Sequence, residues 1–99
     1  MAKKLPLITP GEILTEEFLQ PLGVTQSQLA KDINVPANRV GQIIHGKREI
    51  TADTALRLGK YFGNEPDFWM NLQVHYNIEL VQEKAGRLID TEVKVLQPR

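Results

Sequence analysis

Asn38, Arg39 and Gln42 can each bond the edge of a flat polar ring in two places, and they fall within one short span of the chain. An Asn or Gln amide fits the N6 and N7 positions of adenine, and an Arg guanidinium fits O6 and N7 of guanine. Around them, NVPANRVGQIIHGKREIT (residues 34–51) holds no acid from Asn34 to Arg48, only the bases Arg39, Lys47 and Arg48. The chain as a whole is neutral, with 12 Lys and Arg against 12 Asp and Glu. The imbalance is local. Between Gln26 and Lys60, Lys31, Arg39, Lys47, Arg48, Arg57 and Lys60 outnumber Asp32, Glu49 and Asp53, and the two ends of the chain cancel the excess. Such a chain does not coat any polyanion it meets, yet it can offer one positive face.

Those side chains need helices beneath them, and the punctuation of the sequence supplies helix starts in series. Thr9-Pro10-Gly11-Glu12 offers an N-cap hydroxyl, a proline for the first helical position and the glutamate of a capping box. Ile13, Leu14 and Phe18 then define a buried face with Glu16 and Glu17 on the wet side, and Pro21 and Gly23 end the helix. Thr25 and Gln28 form a second box ahead of Leu29, Ala30 and Ile33. Asn34 stands where a left-handed C-cap is expected. Pro36 starts a third helix with Val40, Ile43 and Ile44 inward, and Gly46 closes it. Thr51 caps a fourth helix, whose core face is expected from Ala55, Leu56 and Phe62 with help from Leu58. Pro66 begins a fifth through Phe68, Trp69, Leu72, Tyr76 and Leu80, expected to stop or loosen at Gly86. The remainder, RLIDTEVKVLQPR, has a weak period of two that suits a strand, a frayed helix or an ordered tail. The expected organisation is an arm over residues 1–8, an all-α domain over 9–86 and a tail over 87–99.

Only Asn34-Val35-Pro36 separates the second and third helices, which suits the sharp crossing of a helix-turn-helix. Ala30 is small where the two helices approach, and Val40 and Ile43 are apolar where the third must face the second. By the helical period, Ala37, Asn38, Gly41, Gln42 and His45 then lie outward, with Arg39 near the boundary. Ala37 and Gly41 leave room for close approach to a nucleic-acid groove. Gln26, opening the second helix, is placed to bond a phosphate with help from the helix dipole. Lys47 and Arg48, just past the third helix, would meet the sugar–phosphate backbone. Few phosphate contacts imply weak binding by one copy, so a dimer reading two half-sites is expected.

Other chemistries find little here. With no cysteine, disulfides and thiolate metal sites are excluded, which suits a reducing cytoplasm. His45 and His75 lack the spacing of metal ligands, and no cofactor is expected. Glu16 and Glu17 are adjacent on a helix and point apart, so they do not pair as catalytic carboxylates. No phosphate-cradling loop and no nucleophile–base spacing is present, so an enzyme is not expected. No apolar run approaches the roughly 20 residues that span a membrane, and MAKKLPLITP lacks the apolar stretch of an export signal. Phe68 and Trp69 fall at helical spacing with Leu72 and read as core or dimer contact. The bland alternative for residues 37–48 is a solvated helix face. The turn spacing, the missing acids and the Asn/Gln/Arg surface together favour recognition.

The segments TPGEIL, LAKDINVPANRVGQIIHGKREITADTALRLGKYFG and PDFWMNLQ, in that order, resemble the HigA antitoxins, also called virulence-associated protein I. These belong to the phage-repressor-like (XRE, Cro/C1-type) helix-turn-helix group. The resemblance spans residues 9–79 or so. Two departures are Thr9, where histidine is common, and Glu65, where serine often caps the fifth helix. The resemblance implies a five-helix domain that acts as a dimer and represses its own operon through double-stranded operator DNA with inverted repeats. It implies a partner too, a HigB-type toxin that cleaves mRNA on the ribosome. On that resemblance Gln26, Ala37, Asn38, Arg39 and Gln42 match positions that meet DNA, with Lys47 and Arg48 near its backbone. A regulator without a toxin, or an interaction adaptor that has lost DNA affinity, would share the same fold.

Overall fold

The computed structural model describes residues 7–98. Among them are five helices and no strand, the all-α architecture expected. Helix α1 spans residues 10–22 and is followed by α2 (Gln26–Ile33), α3 (Ala37–Ile44), α4 (Ala52–Phe62) and α5 (Pro66–Glu92). Most of the expected arm, residues 1–6, lies outside the described residues, as does Arg99.

The threonine caps form as their spacing predicts. The hydroxyls of Thr9, Thr25 and Thr51 accept the N–H of Glu12, Gln28 and Thr54 at 3.1, 3.1 and 3.4 Å. Each satisfies one donor that the first turn of its helix leaves open. The second box is only half made, because the Gln28 amide donates instead to Asp32 Oδ1 at 2.6 Å. Pro36 stands as the N-cap of α3, one position earlier than expected, with an extended ψ of 139°. Glu65 makes no side-chain cap for α5, in keeping with its departure from serine.

Three expectations need correction. Within α1 the backbone takes a π-helical register over Leu14–Leu19, and Gln20 N–H bonds to the carbonyl of Thr15. Leu14 and Leu19, five residues apart, are therefore the buried pair, while Phe18 is only half-buried. A widened turn suits Pro21, which has no N–H to give and whose ring crowds the carbonyl four residues back. On α4, Leu58 is 1% exposed and Leu56 61%, the reverse of the expected weighting. Leu58 lies one helical turn beyond Ala55, whereas Leu56 lies about 100° round the axis from it. Finally, α5 does not stop at Gly86 but continues to Glu92. A glycine costs a helix only about 1 kcal/mol, and its neighbours Lys84, Ala85, Arg87 and Leu88 are good helix formers. Residues 93–98 follow without regular structure and are exposed.

Trp69 has no exposed surface and centres the core with Leu14, Leu29, Ile50 and Leu58. Its ring lies 4.8 Å from Phe18 and 5.0 Å from Phe68, and its indole N–H donates to Asn64 Oδ1 at 2.9 Å. The radius of gyration is 16.9 Å, above the roughly 13 Å of a compact chain this long. Helix α5 alone is about 40 Å long, and its last turns are largely exposed. No helix among the described residues is long and apolar enough to cross a membrane.

Candidate nucleic-acid interface

The α2–α3 corner is set by Asn34, whose φ of 57° and ψ of 52° are left-handed. Asparagine tolerates this region better than most residues. Its conformation lets Val35 N–H bond to Ala30 O at 3.0 Å and Asn34 N–H to Lys31 O at 3.3 Å. These two bonds make a Schellman closure, and the buried pair of Ala30 and Val35 gives it an apolar plug. The chain thus leaves α2 at once into α3, which buries Val40 and Ile43. Arg57 on α4 secures the corner, donating from Nη1 to the carbonyl of Ile33 at 2.9 Å and from Nε to Asp53 at 2.7 Å. One charge of the local positive excess is therefore occupied in holding the fold.

On the outer side of α3, Ala37, Asn38 and Arg39 are exposed and Gln42 is half-buried. Gln26, the first residue of α2, is exposed beside them. A Cβ on Gly41 would lie 3.9 Å from Gln26 Oε1, an ordinary van der Waals contact, so Gln26 stands beside Gly41 and the surface there stays open. Neither Arg39 nor Lys47 has an ion-pair partner among the described residues.

The end of α3 is closed by Gly46, with a φ of 74°. Lys47 N–H bonds to Gln42 O at 2.8 Å and Gly46 N–H to Ile43 O at 3.1 Å, a second Schellman closure. This turn brings Arg48 back over α3, where its Nε–H donates to Gln42 Oε1 at 2.9 Å. The loop beyond is anchored from α5. Gln73 Oε1 accepts the buried N–H of Ile50 at 2.8 Å, Gln73 donates to Asn77 at 3.0 Å, and Asn77 donates to Glu49 at 3.2 Å. Neither this chain nor the Arg48–Gln42 bond was anticipated from the sequence. A signal existed for the first, since Gln73 is a polar residue in helical register with Trp69 and Tyr76.

Of the seven positions singled out from the sequence, all but the half-buried Gln42 are exposed, and the structure joins Gln42 to Arg48 by a hydrogen bond. From Ile33 to Arg48 the chain carries no acid; Asp32 is bonded by Gln28 and Tyr61, and Glu49 by Asn77.

Comparison with known proteins places these elements among relatives. The helix-turn-helix family profile (HTH_3) matches residues 16–69. Virulence-associated protein I of Dichelobacter nodosus is 44% identical over 80 residues, covering 81% of this chain and 74% of that one. The structure of a HigA-family addiction module antidote protein from Coxiella burnetii is 48% identical with a TM-score of 0.88, covering 93% of this chain and 100% of that one. The Pseudomonas aeruginosa antitoxin HigA, solved with the higBA promoter, is 39% identical with a TM-score of 0.89, again covering 93% of this chain and 100% of that one.

Proposed function

The chain belongs to the helix-turn-helix family that includes the HigA antitoxins and virulence-associated protein I, and from that premise we propose that it is an autorepressing antitoxin. The family is one of DNA-binding regulators rather than enzymes. One observation carries the reading. The outward side chains of α3 are of the types that read base edges, and they are flanked by Gln26 at one end and Lys47 at the other. A helix so bordered enters a major groove with base-reading groups on its face and phosphate-binding groups at its rim. The Pseudomonas relative, with its promoter, supports the same assignment.

In this mechanism Asn38, Arg39 and Gln42 read the operator and Ala37 allows the helix to approach. Gln26 bonds a phosphate at the N-terminus of α2, and Lys47 approaches the backbone beyond α3. The bound protein blocks its own promoter, in the cytoplasm, and the adjacent gene supplies a small mRNA-cleaving toxin of the HigB type that it neutralises.

The working unit is a homodimer. Val74, Ile78, Val81, Ala85 and Leu88 recur along α5 at alternating steps of four and three, the repeat of a helix that pairs with another. Val74, Ile78, Val81 and Leu88 are 49–57% exposed in the single chain, on a side away from Trp69. A second copy would cover them.

Footprinting on the chain's own upstream DNA tests this reading. Two protected half-sites about 34–36 Å apart support a dimeric repressor. No protection there would overturn the repressor, and failure of the adjacent gene product to co-purify would reduce it to a stand-alone regulator.

A further inference from the structure

We infer that Arg48 is a positioning residue that holds the Gln42 amide with its NH2 group towards the groove, so that the pair selects guanine over adenine. The inference rests on the DNA-binding reading above and narrows it to one base.

A guanidinium carries donors and no acceptor. For Arg48 Nε–H to meet Gln42 at 2.9 Å, the amide must turn its oxygen to Arg48 and its NH2 group away. Gln42 is gripped twice by the same loop, because its backbone carbonyl also accepts Lys47 N–H at 2.8 Å. The loop is itself fixed, by the left-handed turn at Gly46 and by the bond from Ile50 to Gln73 on α5 at 2.8 Å. The orientation of this one amide is therefore tied to the fold through a chain of named contacts.

Orientation decides what the amide can read. Bidentate pairing with adenine needs both ends of the amide, the NH2 on N7 and the oxygen on the N6 amino group. Arg48 takes one of the two lone pairs of Oε1 and holds the oxygen on its own side, so the NH2 end is the one left free to turn to a base. Guanine presents two neighbouring acceptors, N7 and O6, which match two N–H groups. Adenine presents N7 beside a second donor, which meets the Gln42 NH2 as a like group. Arg48 thus acts through Gln42, and its charge need not touch phosphate.

The test is equilibrium binding of the full chain to its upstream DNA with each half-site base pair changed in turn. At one position the wild type should prefer G·C to A·T by about tenfold, within the range a good base contact supplies. Arg48→Ala should reduce that preference to within about threefold and leave the other positions and the salt slope as they were. Gln42→Ala should abolish the same preference, and adding Arg48→Ala to it should change nothing further there. Arg48→Lys, whose ammonium also only donates, should retain the preference. If Arg48→Ala instead weakens every variant by one common factor and lowers the salt slope by about one, Arg48 is a phosphate clamp and the inference fails. A wild-type preference for adenine at that position would also overturn it. Absence of any binding to the upstream DNA would remove the underlying reading itself.

Discussion

A Cβ on Gly11 would stand 2.3 Å from the carbonyl oxygen of Ile43, so α1 meets the end of α3 at a distance that only glycine allows. The carbonyl oxygen of Ile44 would be 2.6 Å away. The start of α1 carries a partial positive charge and the end of α3 a partial negative one, so the contact is electrostatically favourable. Gly11→Ala should force the two helices apart, and overpacking of this kind costs about 1–3 kcal/mol. Thermal melting and operator affinity should both fall. An alanine variant unchanged in both would mean that this contact does not hold α3.

Arg39 is exposed on α3 and has no ion-pair partner among the described residues. Arg39→Ala should cost about 1–3 kcal/mol of operator binding and relax the preference at one base. Its melting temperature should match the wild type. Binding isotherms on operators mutated one base at a time separate this from a general loss of charge, which would lower affinity evenly.

Much of this was legible in the sequence, for physical reasons that differ by residue. The hydroxyls of Thr9, Thr25 and Thr51 act within three residues, so their caps follow from local spacing. Asn34 likewise announces a left-handed corner by its own tolerance for that backbone region. Leu19 was missed because a period of 3.6 cannot foresee a π-helical register, and the hint lay in Pro21, beyond the affected turn. The bond from Gln73 to Ile50 joins residues 23 positions apart and depends on how α5 docks. The Arg48–Gln42 bond needed the closure at Gly46 to be seen in three dimensions, although Gly46 was expected to end the helix.

Gly86 lies within α5, and a Cβ there would meet nothing within 4 Å. Gly86→Ala should therefore stabilise the chain by about 0.5–1 kcal/mol, through the smaller entropy lost by alanine in a helix. Urea unfolding curves would register the gain as a higher midpoint. A loss of stability would show that another chain packs at that position.

Tyr61 donates its hydroxyl to Asp32 Oδ2 at 2.6 Å. That bond raises the phenol pKa above its ordinary value, assisted by desolvation and by the Asp32 charge. Because the folded value is raised, the contribution to stability is complete below the unfolded value of about 10 and is lost as pH rises through the folded one. Asp32→Asn should bring the Tyr61 titration back down, as read by phenolate absorbance. An unaltered titration would place the cause elsewhere.

The most direct measurement compares the affinity of the wild-type chain for its own upstream DNA with that for a scrambled duplex of equal length and composition, at one physiological salt concentration. A repressor that reads bases through Asn38, Arg39 and Gln42 should favour its own sequence by about a thousandfold or more. Equal affinity for the two duplexes would contradict sequence-specific recognition by α3.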